Sequence, residues 1–528
     1  MALPLFSSRG THHGIPLVRV SRDGALAVAD RQSFEPEAAS RCGVDVHGRV
    51  PDRLPNAGEQ FRFHIDMSRC IGCKCCVVAC NEQNGNPASI QWRRVGEVEG
   101  GSFPVTRRAY FSMGCNHCAD PTCLAGCPVD AYSKDEATGL VRHSAETCIG
   151  CQYCTWTCSY GVPQFNPERG VVGKCDMCYG RLSQGQSPAC VSACPEGALA
   201  IEIVNVADWR ASVAAAEAGT GRPSSDASVS TTRVTLPPLL PPAAQPVDLD
   251  RLEPAEPHLP LVVMTVLTQL SAGAFAAIWI AQLFGVSARL GATAAGALGV
   301  GGLALAVAAL HLGRPIHACR AMRMWRRSWL SREAVLFFLF VHAAAFFTAA
   351  LWFGWPGAAF LGGATTVLGL AGVVATGCIY LVPSRPAWNT PRTIAHFLLT
   401  AALLGTLTAA AAGVGNAEWF RAVGAATAIG LAASIASSHR TMAAAASVEL
   451  RGTARLLSTT LVRPFAVRFA LLAAGGVLMP LASRSPVVLG VALALALSGE
   501  LVGRYLFFVS AVPRHMTASY LPAAEEAA

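Results

Sequence analysis

Beyond residue 260 the chain runs in long apolar stretches separated by short charged intervals, whereas before it apolar positions come only in brief runs. A helix needs about 20 apolar residues to cross a bilayer. Leu261–Phe284, Gly291–Leu310, Ala334–Phe353 and Gly357–Val382 meet that length without a charge, and Thr393–Val414 is similar. Ala422–Ser438 is short but extendable at either end. Pro464–Ala482 is interrupted by Arg468 and Pro480, and Pro486–Val512 carries Glu500 and Arg504. Eight spans are therefore expected. A soluble helical domain would need many successive helices with no polar face, which such a fold does not supply.

Ahead of the spans the pattern changes twice. Residues 1–60 mix Pro, Gly, Ser and charges without periodicity and read as an extended arm, with Cys42 an isolated thiol. They contain no apolar run suited to a secretory signal, so none is expected. Residues 61–206 carry short runs such as FRFHIDM and ALAIEIV, which suit strands flanking a small metal-centred fold. Residues 207–257, with TGRPSSDASVSTT and LPPLLPPAAQP, read as a polar and then proline-rich linker. The membrane region is expected over 258–515, followed by a tail at 516–528.

Composition sharpens this division. Only 14% of the 528 residues are charged, and mean hydropathy is +0.40. Eighteen of the 20 cysteines precede residue 195. The net charge of +8 comes from arginines between apolar runs, which fits loops beside membrane spans and not a nucleic-acid partner. Eight spans put both ends of the membrane region on one face. That face carries Arg314, Arg320, Arg323, Arg326, Arg327, Arg332, Arg385, Arg392, Arg440, Arg451, Arg455, Arg463, Arg468 and Arg514. The other carries Arg289, Arg421 and Arg484. Because cytoplasmic loops are enriched in Arg and Lys, the cysteine region is expected on the cytoplasmic side of the inner membrane.

The clustered cysteines form four groups. Cys70, Cys73, Cys76 and Cys80 follow C-x2-C-x2-C-x3-C, and Cys148, Cys151, Cys154 and Cys158 repeat it. Cys115, Cys118, Cys123 and Cys127 follow C-x2-C-x4-C-x3-C; Cys175, Cys178, Cys190 and Cys194 follow C-x2-C-x11-C-x3-C. A cubane iron–sulfur cluster takes a thiolate at each iron, and in two-cluster ferredoxins the fourth cysteine of a run ligates the other cluster. Sixteen thiols would make four [4Fe–4S] clusters. Zinc ribbons also use C-x2-C pairs but do not need these triple spacings or the Cys-Pro ends at Cys127 and Cys194. Aligning CIGCKCCVVAC with CIGCQYCTWTC sets Cys75 opposite Tyr153, outside the ligand pattern, where a small packing residue is expected.

These motifs carry a resemblance. RCIGCKCC, CNHCADPTCLAGCPVDAY, CIGCQYCTWTC and KCDMC…CVSACPEGAL resemble the four-cluster iron–sulfur subunits of the dimethyl sulfoxide reductase family. EPHLPLVVMTVLTQ, HLGRPIHACRAMRMWRRSWLSREAV, YLVPSRPAWNT and GELVGRYLFFVSAVPRHM resemble that family's eight-span anchor. The resemblance implies an α+β ferredoxin-like four-cluster domain joined to an all-α polytopic membrane domain of eight transmembrane helices. It implies the pairing as well. Cys70, Cys73, Cys76 and Cys194 would share one cluster, and Cys175, Cys178, Cys190 and Cys80 a second. Cys115, Cys118, Cys123 and Cys158 would share a third, and Cys148, Cys151, Cys154 and Cys127 the fourth. Some relatives replace a second-group cysteine and carry a three-iron cluster; Cys123 is retained here, so four cubanes are expected.

In the anchor, His311 and Glu333 match the family's quinol-site histidine and glutamate, with Arg314 beside them. Glu500 and Arg504, four apart on one helix face, could form a structural ion pair. His342 and His396 are too little to predict haem. The implied role is electron transfer between a membrane quinone and a separate subunit bearing a molybdenum or tungsten bis-pterin cofactor, with no molybdenum cofactor on this chain. Electrons could run toward an acceptor such as an S-oxide, or from sulfite or another inorganic donor toward quinone. A redox-sensing or assembly protein is the reading of a different class.

Overall fold

In the computed structural model, residues 18–20, 26–28, 49–215, 228–241, 244–249, 251–414 and 417–521 are described. Cys42 and most of the arm lie outside them, apart from the antiparallel pair Val18–Val20 and Leu26–Val28 and residues 49–60, of which Glu59 and Gln60 already belong to the first strand of the cysteine domain.

The two short runs that flank the cysteine groups pair with each other. Glu59–Asp66 and Leu199–Asn205 are antiparallel, with Ile65 opposite Leu199 and Phe61 opposite Ile203. Successive side chains of a strand face opposite ways, and Phe61, Phe63 and Ile65 fall on the buried face. Arg233–Thr235 adds a parallel strand on the far side of Glu59–Asp66.

Part of the expected linker is thus built into this domain. Val206–Ala214 is a helix capped by the Asn205 side chain, and Ser228, Ser230, Thr231 and Thr232 are buried. Thr231 Oγ1 accepts from Gln60 Nε2 at 3.0 Å and donates to Asn116 O at 2.9 Å. The expected tail also returns to the domain. Tyr520 is fully buried against Phe111 and Tyr160, with ring centroids 5.5 and 6.2 Å away, and its hydroxyl meets Ser230 Oγ.

Among the described residues, eight helices are long and apolar enough to cross a membrane. They are Leu259–Leu283, Leu290–Ala309, Trp329–Phe353, Ala358–Ile379, Pro391–Ala412, Glu418–Ala443, Val462–Ala482 and Pro486–Ser510. The sixth outruns its expected core because its polar ends find partners; Arg421 Nη2 donates to Leu481 O at 3.1 Å. The seventh accommodates Pro480 next to a π-helical turn at Leu472–Leu478. The first and fifth helices touch backbone to backbone at Gly273 and Gly405, where a Cβ on either would overlap the other, a packing mode common between membrane helices.

The α+β domain sits on the ends of these helices. The loop after the second helix donates Gly313 N to Gly150 O (3.3 Å) and Arg314 N to Ile149 O (3.1 Å). Gly150 has φ +69° and would carry a Cβ 2.9 Å from Gly313, so this contact requires glycine. Arg327 pairs with Asp130 at 2.8 Å, and Ser328 Oγ donates to Gly126 O at 2.6 Å.

Candidate functional site

Each close-spaced cysteine loop turns through left-handed residues. Gly72 and Lys74 flank Cys73, and Gly150 and Gln152 flank Cys151, with φ between +59° and +72°. Such turns direct successive N–H groups to one side, where they can bond sulfur. Gly150 N lies 3.4 Å from Cys148 Sγ, Met177 N 3.4 Å from Cys175 Sγ, Ala131 N 3.3 Å from Cys127 Sγ and Ala198 N 3.2 Å from Cys194 Sγ. In the first and third groups a helix, Cys75–Asn84 and Tyr153–Thr157, starts one residue before the third cysteine and carries the chain away, so the fourth cysteine leaves its own loop.

The resulting sets cross between groups. One cavity is lined by Cys70, Cys73 and Cys76 together with Cys194. Another is lined by Cys115, Cys118 and Cys123 together with Cys158. Cys80 lies within electrostatic reach of Cys175, Cys178 and Cys190, and Cys151 within reach of Cys148 and Cys127. Burial pushes the Cys80, Cys151 and Cys178 thiols up, the last two to about 12, so thiolate ligation there needs the positive charge of bound metal. Cys75 belongs to none of the sets. It is exposed and not packed, because it opens the helix Cys75–Asn84 on the side away from buried Cys76 and Cys80.

Two buried cations stand among the sets: Arg93, outside every cysteine motif, and Lys174, which opens KCDMC. Arg93 is 1% exposed, stacks 4.5 Å over Phe63 and donates to Ser112 Oγ at 3.1 Å. The Ser112 hydroxyl is itself 3.4 Å from Cys76 Sγ. Arg93 is within reach of Cys76, Cys80, Cys175 and Cys190, and its Nη2 has no protein partner among the described residues. An orphaned buried donor beside thiols fits a site whose acceptor is a sulfur cluster. Lys174, also buried, donates to Cys175 O at 2.9 Å and lies within reach of Cys115 and Cys123.

The set nearest the membrane helices is that of Cys127, Cys148, Cys151 and Cys154. His311 Nε2 is 3.2 Å from Cys151 O, and the Arg314 guanidinium donates to Ala145 O at 2.7 Å and Cys148 O at 3.4 Å. Trp156, between Cys154 and Cys158, is the plug of the junction. Its ring packs on His258, His311, Tyr380, Trp388 and Phe508 at centroid distances of 5.2 to 6.4 Å. Glu333 lies in the third membrane helix, nearly buried, and accepts from Thr376 Oγ1 at 2.6 Å. It is within reach of Tyr153 and Tyr380. His311 and Glu333 therefore border one aromatic cluster from two sides, with no hydrogen bond or ion pair joining them. Burial, reinforced by His258, holds His311 down to about 4, so it is neutral at ordinary pH.

The other polar residues of the spans have separate roles. Glu500 does not pair with Arg504: it faces Arg468 of the seventh helix at 3.5 Å and accepts from Thr400 at 2.6 Å. Arg504 instead donates to Gln269 at 3.1 Å and lies 3.5 Å over Phe397. Sharing a helix face did not join them because each reached a different neighbouring helix. His342 is exposed and meets Phe338 O, while His396 meets Ser434 Oγ.

Thiol sets in a small α+β domain, seated on eight apolar helices, define an iron–sulfur electron-transfer subunit joined to a membrane anchor. Residues 106–203 match the 4Fe-4S dicluster domain family, and residues 254–509 match the DMSO reductase anchor subunit (DmsC) family. Over 150 residues the sequence is 41% identical to a component of the anaerobic dimethyl sulfoxide reductase of Haemophilus influenzae, covering 27% of this chain and 73% of that one. It is 33% identical over 181 residues to a component of the sulfite dehydrogenase of Allochromatium vinosum (30% and 75% covered). Similarity to the formate dehydrogenase-O iron-sulfur subunit of Escherichia coli is 37% over 158 residues (27% and 52% covered). The chain belongs to the iron–sulfur subunits of the dimethyl sulfoxide reductase family, fused here to a DmsC-type anchor.

Proposed function

We propose that this chain relays electrons through four [4Fe–4S] clusters between a separate molybdenum or tungsten bis-pterin subunit and the membrane quinone pool. The observation that carries this reading is the hydrogen bond between Cys151 O and His311 Nε2, which joins a thiol set to the loop after the anchor's second helix. In this reading the clusters are held by the four crossed sets of cysteines, and each accepts and passes on single electrons when bound.

The opposite end of the relay is the set of Cys70, Cys73, Cys76 and Cys194. Cys73 is exposed there, with Ile71 and Val78 as exposed apolar neighbours, which suits docking of the catalytic subunit. At the membrane end, oxidation of a quinol to a quinone releases two electrons and two protons. Neutral His311 can take one proton and the Glu333 carboxylate the other. Arg314 is committed to the carbonyls of the cysteine loop, so it orients that loop beside the headgroup.

Arginines bias the cysteine-side loops, which supports a cytoplasmic cluster domain at the inner membrane. That side, with the sulfite dehydrogenase relative, favours a second reading in which electrons run from an inorganic sulfur donor to quinone. Reconstitution of the purified chain in liposomes tests the relay in either direction. Added quinol should reduce the membrane-side clusters, seen by EPR. Clusters that reduce with dithionite but never with quinol, nor oxidise with quinone, would sink the relay.

Arg93 should set the potentials of the two clusters beside it, since a fixed positive charge favours the added electron. Arg93→Met is expected to lower two midpoint potentials in an EPR redox titration while leaving the other two unmoved, with Arg93→Lys recovering part of the shift. Unchanged potentials in Arg93→Met would refute the tuning role.

A further inference from the structure

The anchor contains a cavity that neither His311 nor Glu333 lines. It has a volume of about 330 Å³, within the range of small-molecule sites. It opens among the cluster-side ends of the fifth, sixth, seventh and eighth helices, beside the short amphipathic helix Val448–Ser458. Trp388 and Phe507 line one part as an aromatic slab, stacked at 5.1 Å and 13°.

The remaining lining is rich in hydrogen-bonding groups. His396 and His439 each engage a serine hydroxyl through Nε2 at 2.8 Å, with Ser434 and Ser458 respectively. Arg392 Nη1 donates to Thr441 Oγ1 at 2.8 Å. Two lining atoms are buried without any protein partner among the described residues: Ser438 Oγ and Arg468 Nε. Buried polar atoms are ordinarily bonded, so an unpartnered pair in one cavity points to an acceptor that the chain itself does not provide. Arg468 is held in place from two sides. Its Nη2 faces Glu500 at 3.5 Å, and its guanidinium lies where a side chain on Gly503 would overlap it.

The cavity also communicates with the cluster domain. Trp388 meets Trp156 edge to face at 5.6 Å, and Trp156 in turn meets His311 at 6.4 Å. Trp156 thus stands between the His311 region and this cavity, two residues from both Cys154 and Cys158. Arg468 faces the Glu500 carboxylate, and Arg392 is engaged by the Thr441 hydroxyl. Hydroxyl, guanidinium and imidazole donors around a flat aromatic wall suit the carbonyl oxygens of a neutral ring.

We propose that this cavity is a second binding site for a quinone headgroup, with Arg468 and Ser438 donating to a ring carbonyl and Trp388–Phe507 covering the ring face. The proposal rests on the reading that this anchor meets quinone at all, and a binding measurement separates the two. The probe is a fluorescent hydroxyquinoline N-oxide quinol analogue, titrated into the purified full chain in detergent. Two analogues per chain are expected for the wild type and one for His311→Ala. Ser438→Leu, which removes the hydroxyl and puts a branched apolar side chain into the cavity, should also leave one, with at least a tenfold loss of affinity at the missing site. Arg468→Gln is the second variant, and cluster absorbance in each confirms folding. A single site removed by His311→Ala and untouched by Ser438→Leu and Arg468→Gln overturns the proposal while sparing the relay. Phospholipid that co-purifies with the wild type and is lost from Ser438→Leu, without change in analogue binding, also overturns it. No analogue bound by the wild type refutes both.

Discussion

Cys80→Ala is expected to abolish the cluster of the fourth cysteine group and to spare the cluster of its own group. Cys80 sits at the sixth position of the helix Cys75–Asn84, buried, and its thiol neighbours are Cys175, Cys178 and Cys190. Cys194 is the reciprocal case, lining the cavity with Cys70, Cys73 and Cys76. Iron content alone cannot tell the two assignments apart, since either loses one cluster. Double variants can, because residues serving one site do not add. Cys80→Ala with Cys178→Ala should lose no more iron than either alone, whereas Cys80→Ala with Cys73→Ala should lose twice as much. The opposite pattern, measured by iron analysis and EPR, would show that each group closes on its own cluster.

The parts of this architecture that were legible in the sequence are those with a local period. Cysteine spacing defines a tight loop within eleven residues, and apolar length defines a span, so both could be read one segment at a time. Contacts between distant segments leave no such trace. Ser230 and Tyr520 meet across 290 positions, and a Ser/Thr-rich stretch looks like linker until Gln60 and Asn116 are seen to bond it. Arg93 had no spacing to mark it, only burial. Glu500 illustrates a subtler limit: the i,i+4 rule gave a possible partner on its own helix, but Arg468 on a neighbouring helix took the place. His311 and Glu333 stand out by resemblance to family positions, whereas Trp156, which lies inside a cysteine motif and packs on His311 and Tyr380, carries no mark in the sequence because its role depends on the anchor it inserts into.

His311→Ala and Glu333→Gln should each cut quinol oxidation by about 10²-fold or more, the usual contribution of a positioned acid–base group. The two act at different points around the Tyr153, Trp156 and Tyr380 rings, and a quinol must lose a proton from each of two oxygens. Glu333→Gln is a conservative test, since its side-chain oxygen can still accept from Thr376 Oγ1 and so preserve the local packing. Only the ability to take up a proton is lost. His311→Ala removes the imidazole without touching a thiol, although it frees the Cys151 carbonyl. Dithionite reduction and the EPR signals of the clusters should therefore survive in both variants. His311→Gln, which keeps a donor toward Cys151 O but no base of suitable strength, separates orientation from proton transfer. Recovery of turnover in His311→Gln would make His311 a positioning residue. Unchanged turnover in both His311→Ala and Glu333→Gln would move the quinone chemistry away from this junction altogether.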